Sequence, residues 1–232
     1  MGDDESKVFL ITGASTGIGA ATARLAVEAG HRVVLAARSA DRLDALANEL
    51  GGDERAIAVA TDVTDWPQQQ ALAARALERF GALDVVFANA GFGAQRSFAG
   101  DSPEHWRDMV LTNVLGVAYT IRATLETIRE RRGHVILTSS AAGRRAIVGS
   151  LYSATKHAVT AMGESLRQEL NGTGARVTLI EPGMVATPFF ENDVSQWALP
   201  ADAVADAVMY AVSRPKTVDV SDIMVRPILQ PE

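Results

Sequence analysis

Cysteine is absent from the 232-residue sequence, which excludes disulfide bonds and thiolate metal sites and is compatible with a cytoplasmic location. Basic residues are in the minority, because 22 Lys and Arg stand against 28 Asp and Glu, for a formal net charge of −6. A nucleic-acid surface needs a basic face, so we expect no nucleic-acid partner. No apolar stretch reaches the ~18 residues of a membrane span, and the polar start, MGDDES, is unlike a signal peptide. We therefore expect no membrane partner.

Metal-ligand spacing is also lacking. We therefore expect no metal site and assign the four histidines to the surface or to strand ends: His31, His105, His134 and His157. The composition, 47% hydrophobic and 22% charged, fits one globular domain with a sizeable core. There is no linker, repeat or low-complexity stretch. We predict a flexible N-terminal tail, residues 1–6, followed by a single domain, residues 7–232.

The first strong pattern is an apolar strand followed by a glycine turn. Residues 8–11 form a continuous apolar run, which suits a strand buried on both faces of a parallel sheet. Gly13, Gly17 and Gly19 punctuate the next turn, and an Ala-rich helical pattern follows to residue 29. Glycines let the backbone approach a pyrophosphate, and the free N–H groups of a helix N-terminus point at it. The pattern predicts a nucleotide site.

Strand and helix patterns alternate along the rest of the chain, which predicts a parallel sheet. Right-handed crossovers arrange it as an α/β, Rossmann-type doubly wound sheet of about seven strands in the order 3-2-1-4-5-6-7. The later strands are predicted at residues 31–37, 56–60, 83–88, 134–138, 176–180 and 223–225. The helices are predicted at residues 41–50, 66–80, 103–131, 150–170 and 200–213. The irregular stretch 188–199 is expected to be a lid, with Phe189, Phe190 and Trp197 either lining an apolar pocket or simply packing on the body.

Ligands bind at the carboxyl ends of such strands, and two strand ends carry informative residues. Strand two ends at Arg38 with no carboxylate to hold the adenosine ribose, which favours a ribose 2′-phosphate; a solvated surface arginine is the alternative. Tyr152 and Lys156 are four residues apart, so they lie on one helix face. A cation beside a phenol lowers its pKa from ~10, so this tyrosine could exchange a proton with a substrate oxygen.

Four motifs resemble the short-chain dehydrogenase/reductase family. They are T-G-x-x-x-G-x-G at residues 12–19, N-A-G at 89–91, Y-x-x-x-K at 152–156 and P-G-x-V-x-T at 182–187. The family has an asparagine before N-A-G, where this chain has Ala88. The C-terminal stretch 218–227 is similar, more loosely, to the NADP-dependent 3-hydroxy acid dehydrogenases of this family.

The resemblance implies an oxidoreductase that interconverts a secondary alcohol and a ketone with NAD(P)(H), and forms a homodimer or homotetramer through helices 103–131 and 150–170. Because Arg38 stands where a carboxylate is missing, we expect NADP(H) to be preferred over NAD(H). The resemblance also implies that Tyr152 is the acid/base, that Lys156 lowers its pKa, that a serine polarises the carbonyl, and that Asn113 supports a proton relay. The cofactor-binding residues that it implies are Gly13, Ser15, Thr16, Gly17, Ile18, Gly19, Arg38, Asp62, Val63, Asn89, Ala90, Gly91, Tyr152, Lys156, Pro182, Gly183, Val185 and Thr187.

Two further classes of function stay open. Some members of this fold bind a dinucleotide as sensors without catalysis, which would require a broken catalytic set. Tailoring ketoreductases of secondary metabolism are another possibility. A substrate carboxylate is a narrower hypothesis, which rests on the C-terminal resemblance and on Arg96, Arg144 and Arg145 near the expected mouth; solvated loop cations are the alternative.

Either of two adjacent serines could be catalytic. The family spacing of twelve residues before the tyrosine selects Ser139, whereas the following small residues and glycine, at 141–143, select Ser140. Successive side chains of a strand point to opposite faces, so the two cannot reach Tyr152 equally. We select Ser140, because a loop absorbs a one-residue deletion more easily than a strand changes direction.

Overall fold

A seven-stranded sheet forms the centre of the molecule in this computed structural model, which describes residues 6–95, 97–148, 150–189 and 196–229. The predicted order 3-2-1-4-5-6-7 is confirmed, and all six neighbouring pairs are parallel. Most of the predicted N-terminal tail, residues 1–5, lies outside the described residues. The strands are β1 (Val8–Thr12), β2 (Arg32–Ala37), β3 (Ala56–Ala60), β4 (Val85–Ala88), β5 (His134–Thr138), β6 (Arg176–Pro182) and β7 (Asp222–Val225).

Helices cover both faces of this sheet because each strand of the centre is apolar on both sides. Val8 and Leu10 pack in one apolar cluster together with Ile128, whereas Phe9 and Ile11 pack in a second cluster on the opposite face. The helices are α1 (Gly17–Glu28), α2 (Ala40–Glu49), α3 (Trp66–Phe80), α4 (Pro103–Val110), α5 (Val117–Arg131), α6 (Leu151–Glu169) and α7 (Ala201–Ser213). Helices α3, α5 and α6 contribute to the first cluster, and α1, α2 and α7 to the second.

The predicted helix 103–131 is interrupted. A π-helical segment, Leu111–Gly116, separates α4 from α5. Such wide turns interrupt the regular hydrogen-bond ladder and are frequent at functional sites. Strand β6 is also two residues longer than predicted, because Glu181 and Pro182 pair with Met224 and Val225 of β7.

His134 is buried at the start of β5, with 1% of its surface exposed. Its Nε2 lies 2.7 Å from the Thr178 hydroxyl oxygen. Burial, with a smaller effect of the Arg176 charge, holds the pKa of this imidazole well below its usual value. Its assignment to a strand end is therefore right, and the neutral ring belongs to the core.

Within the described ranges, no helix is both long enough and apolar enough to cross a membrane. The same ranges contain no group of three or more His, Cys, Asp or Glu side chains placed to hold a metal ion.

Candidate active site

The glycine turn after β1 is packed too closely for side chains. Gly13 and Gly17 have φ values of 66° and 55°, in the left-handed region that favours glycine. A Cβ added to Gly13 would lie 2.9 Å from the Ala90 Cα, and one added to Gly17 would lie 3.0 Å from the Thr187 Cγ2. A Cβ on Gly19 would overlap the Gly13 carbonyl. The turn therefore presents bare backbone, with Ala90 packed against Gly13 and Thr187 packed against Gly17.

Hydrogen bonds join the carboxyl ends of β1, β4 and β5. The Thr12 hydroxyl accepts hydrogen bonds from the backbone N–H groups of Asn89 (3.0 Å) and Ala90 (3.1 Å). The Asn89 amide donates to the Thr12 carbonyl at 3.1 Å and accepts from the Thr138 hydroxyl at 3.0 Å. Because these groups satisfy one another, the three strand ends form a fixed floor.

A cleft of about 810 Å³ runs along these strand ends. Nearly all of the predicted site residues line it, from Arg38 at one end to Tyr152 at the other. Two do not: Gly19, which is buried behind the glycine turn, and Asn113.

The end of the cleft near β2 and β3 carries two arginines. Arg38 and Arg42 are both exposed and line the cleft with Ser39. Sequence reasoning missed Ser39 and Arg42, although both lie within four residues of Arg38, next to the strand end that the sequence singled out. Burial raises the pKa of the Asp62 carboxyl, but two hydrogen bonds from Thr64 and the Arg38 charge outweigh it, so this pKa lies below its usual value.

Val63 lines the cleft next to Asp62, but its side chain is 7% exposed. A Cβ on Gly116 would lie 2.7 Å from its Cγ2, so the valine packs against the π-helical segment. Little of this side chain is thus left for contact with a cofactor, and the role of Val63 in cofactor binding stays a prediction.

Lys156 is buried beside the floor of the cleft. Its Nζ donates a hydrogen bond to the Thr138 carbonyl at 2.7 Å and lies 5.6 Å from the centroid of the Tyr152 ring. Burial lowers the pKa of this ammonium group to about 8.

Tyr152 stands at the other end of the cleft, half-buried. Its ring packs edge-to-face on Phe189, with centroids 5.6 Å apart. Burial raises the pKa of the phenol to about 12, against a smaller lowering by the hydrogen bond with Ser140. The net pKa of the phenol is therefore raised where the sequence predicts a lowered value, because loss of water around the phenol outweighs the hydrogen bond with Ser140. The lowering of this pKa by Lys156 stays a prediction.

The two candidate serines point in different directions. The Ser140 hydroxyl accepts a hydrogen bond from the Ala142 N–H at 3.1 Å, donates to the Pro182 carbonyl at 3.3 Å, and hydrogen-bonds the Tyr152 phenol. The Ser139 hydroxyl instead donates to the Lys156 carbonyl at 3.1 Å and lies 2.8 Å from the Thr160 hydroxyl. Only Ser140 of the two therefore adjoins the phenol.

Asn113 lies in the π-helical segment and is fully buried. Its side-chain oxygen accepts from the Phe92 N–H at 3.0 Å, and its amide nitrogen donates to the Phe92 carbonyl at 2.8 Å and to the Thr155 hydroxyl at 3.2 Å. The side chain therefore fastens the loop after β4 to α6, and the role of Asn113 in a proton relay stays a prediction.

The predicted lid, residues 188–199, is tied down at its ends. Val185 and Leu199 form a parallel bridge, with hydrogen bonds from Ala186 N–H to the Leu199 carbonyl (2.8 Å) and from Leu199 N–H to the Met184 carbonyl (2.9 Å). Phe189 lines the cleft, whereas Phe190 lies outside the described residues.

The arginines proposed for a substrate carboxylate are not assembled at the cleft. Arg144 binds three carboxylates, those of Glu181 (2.6 Å), Glu164 (3.3 Å) and Asp222 (2.5 Å). Arg145 does not line the cleft either, and Arg96 lies outside the described residues. The structure thus gives Arg144 a different role, as the centre of an ion cluster beside β6 and β7.

The buried ammonium of Lys156 should make stability depend on pH. The pKa of Lys156 is about 8 in the folded chain, whereas an ordinary lysine, as in the unfolded chain, has a pKa of 10.5. Between these two pH values the unfolded chain therefore binds more protons than the folded chain. The contribution of this group to stability therefore rises with pH through that window and is lost as pH falls. We expect the difference in unfolding free energy between wild type and Lys156→Met to change by about 2 kcal/mol between pH 8 and pH 10. Urea unfolding at both pH values measures it, and pH-independent differences would contradict it.

These features define an α/β oxidoreductase whose cleft ends at a tyrosine, a serine and a buried lysine. The chain belongs to the short chain dehydrogenase family, whose family model matches residues 7–197. It is thus an oxidoreductase that acts on a CH–OH group.

Similar proteins agree with this assignment over nearly the whole chain. An uncharacterized oxidoreductase of Staphylococcus haemolyticus is 39% identical, over 98% of this chain and all of the relative. An alcohol dehydrogenase of the archaeon Thermococcus sibiricus, complexed with 5-hydroxy-NADP, has a TM-score of 0.91 at 34% identity, covering 98% of this chain and 99% of that one. A 3-ketoacyl-(acyl-carrier-protein) reductase of Brucella melitensis, complexed with NADH, has a TM-score of 0.89 at 26% identity, covering 97% and 98%.

Proposed function

We propose that this protein is an NADP(H)-dependent oxidoreductase that interconverts a secondary alcohol and a ketone, with Tyr152 as the acid/base. The observation that carries the proposal is the contact of the Tyr152 phenol with the Ser140 hydroxyl beside the buried Lys156 ammonium. A carbonyl oxygen placed between the phenol and the serine hydroxyl could accept a hydrogen bond from each.

The residues of the cleft fit a nicotinamide dinucleotide. The bare backbone of Gly13 and Gly17 forms a cradle that a Cβ would fill, at the start of α1, where N–H groups favour a pyrophosphate. Asp62 and Arg38 stand at the adenosine end, and Lys156 at the other. When bound, this cofactor supplies the hydride chemistry, and the protein supplies position and proton transfer.

The chain's own residues account for the proton. In the direction of reduction, the Tyr152 phenol gives its proton to the substrate oxygen; in oxidation it takes one back. To hold the same oxygen, the Ser140 hydroxyl turns its single hydrogen from the Pro182 carbonyl to the substrate, while the Ala142 N–H keeps its hydrogen bond to the serine oxygen. The Lys156 ammonium, 5.6 Å from the phenol ring, favours the phenolate that oxidation requires.

The preference for NADP(H) rests on the two arginines near β2. Arg38 and Arg42 can both reach an additional phosphate, and no carboxylate stands at the end of β2 to oppose it. One structural neighbour is complexed with 5-hydroxy-NADP and the other with NADH. The cofactor preference of this chain is therefore inferred from its own arginines.

Arg38→Ala should therefore weaken binding of NADP(H) by about 10- to 100-fold and affect NAD(H) little, because a charge-assisted hydrogen bond to the phosphate is lost. Fluorescence titration with both cofactors measures the two dissociation constants. Arg75→Ala on α3, an exposed arginine outside the cleft, is the matched control. Equal weakening of both cofactors would show that Arg38 does not read the phosphate.

A panel of ketones and aldehydes with NADPH and with NADH tests the function itself. Reduction of secondary ketones is the expected result. Cofactor binding without turnover of any substrate would favour a dinucleotide sensor, and activity confined to large ketones would favour a tailoring ketoreductase. The panel includes 3-keto acids, because Arg144, one of the three arginines on which the 3-hydroxy acid hypothesis rests, is occupied by three carboxylates.

A further inference from the structure

A histidine and an aspartate form a pair beside the substrate end of the cleft. His105, in the first turn of α4, lines the cleft near Phe92. Its Nδ1 lies 2.8 Å and 2.9 Å from the two carboxylate oxygens of Asp101. The Asp101 side chain is only 7% exposed and also accepts hydrogen bonds from the Ser102 and Gln95 backbone N–H groups. The pair is therefore built on a carboxylate that the loop holds in place.

Packing fixes the imidazole ring as well. The rings of His105 and Phe92 have centroids 5.2 Å apart, and the Phe92 backbone is held on both sides by the Asn113 amide. The next residue, Gly93, lies against Phe189, because a Cβ added to Gly93 would be 2.7 Å from the Phe189 Cε1. Phe189 in turn packs on Tyr152. A continuous wall thus connects the histidine with the proposed acid/base.

The second ring nitrogen of His105 is available. Nδ1 and Nε2 lie on different edges of an imidazole, so a ring that gives its Nδ1–H to Asp101 directs Nε2 away from the carboxylate. Among the described residues, Nε2 has no hydrogen-bond partner, and the side chain is 39% exposed. In the neutral ring this nitrogen is an acceptor.

We propose that His105 is a specificity-determining residue whose Nε2 accepts a hydrogen bond from a second polar group of the substrate, a hydroxyl or an ammonium. The inference rests on the proposed function and adds the substrate class: an alcohol or ketone that carries another hydrogen-bond donor. Asp108, one turn further along α4, lines the same part of the cleft and is a second acceptor.

Charge supports a donor group over a carboxylate. Apart from Lys156, which is buried beside Tyr152, the charged residue that lines this end within the described part of the chain is Asp108. Its Oδ1 accepts hydrogen bonds from the adjacent Arg107 guanidinium at 3.1 Å and 3.0 Å, but Arg107 is exposed and does not line the cleft. Asp101 places another negative charge directly behind His105. A carboxylate substrate would meet like charges here, whereas a hydroxyl or ammonium group would meet acceptors.

The test compares ketones that differ in one terminal group. The substrates are three series of methyl ketones, which carry a hydroxyl, an ammonium or a methyl group two to four carbons from the carbonyl. Reduction of each series is measured with the wild type and with His105→Phe. Phenylalanine keeps an aromatic ring against Phe92 and removes the acceptor. We expect kcat/KM to fall about 10-fold or more for the hydroxyl or the ammonium series, mostly through KM, and to stay within about 2-fold for the methyl series.

His105→Gln should retain part of the preference, because its amide oxygen can accept a hydrogen bond. Asp101→Ala should lose much of it, because no side-chain acceptor then holds the Nδ1–H of the ring. The hydroxyl and ammonium arms separate the two kinds of donor. An equal loss for all three series, or no loss for any, would overturn the assignment of His105 to substrate recognition.

A binding measurement separates this inference from the proposed function. With NADP(H) present, the thermal shift produced by 1,3-butanediol should exceed that produced by 2-pentanol, and the excess should disappear in His105→Phe. Absence of ketone reduction in the wild type would refute the proposed function alone. A parallel measurement with 4-amino-2-butanol covers the ammonium donor, and equal shifts for all three alcohols in the wild type would refute the role of His105, whatever the turnover.

Discussion

Replacement of Tyr152 by Phe is expected to lower turnover by about 10³-fold or more while cofactor binding stays nearly unchanged. The substitution removes one oxygen, the atom that hydrogen-bonds Ser140 and that would exchange the proton with the substrate. The ring remains, and with it the edge-to-face packing on Phe189. An effect on kcat without an effect on the cofactor dissociation constant is the signature of a proton donor, whereas a merely structural residue would alter both.

Steady-state kinetics with the best ketone of the panel, together with fluorescence titration of NADPH, measure this expectation. Tyr119→Phe is the matched control, because Tyr119 packs on Trp66 and does not line the cleft. Residual activity of the Tyr152 variant within tenfold of wild type would remove Tyr152 from the role of acid/base.

The second large effect should separate the two adjacent serines. Ser140→Ala is expected to lower kcat by about 10²-fold or more, as loss of a donor to a developing oxyanion does. The reason is its contact with the Tyr152 phenol at the wall of the cleft. Ser139→Ala should cost far less activity, because its hydroxyl is committed to the Lys156 carbonyl and to Thr160.

Stability should show the opposite order to activity. Ser139 is 1% exposed and makes two buried hydrogen bonds, so its removal should destabilise the fold by about 1–3 kcal/mol in urea unfolding. A reversed order of activities, with Ser139→Ala the more damaging in kcat, would show that the twelve-residue spacing rule was the right guide.

Much of the fold could be predicted from local patterns, because those patterns do not depend on distant contacts. Apolar runs such as residues 8–11 are buried on both faces wherever the sheet places them, so strand order follows from alternation and handedness. The Tyr152–Lys156 spacing and the glycine turn are equally local, since one helix and one tight turn determine them. The predicted strand order was confirmed for this reason.

Other features were decided by tertiary structure alone. The pKa of Tyr152 is raised where the sequence predicted lowering, because desolvation depends on what the whole chain packs around the phenol. Arg144 is drawn to Glu181, Glu164 and Asp222, carboxylates from three distant parts of the chain. Loop arginines look alike in sequence, and only folding brings their partners together.

The sequence by itself determined the class of protein, the sheet and the identity of the reacting tyrosine and lysine as candidates. The tertiary structure decided which serine faces the phenol: directly after β5, the Ser139 side chain bonds to α6 and the next side chain, Ser140, bonds to Tyr152. It also joined His105 to Asp101 beside the cleft, four residues apart across the start of α4. The Phe92 backbone beside this pair is held by the side chain of the distant Asn113, a contact that exists only in the folded chain.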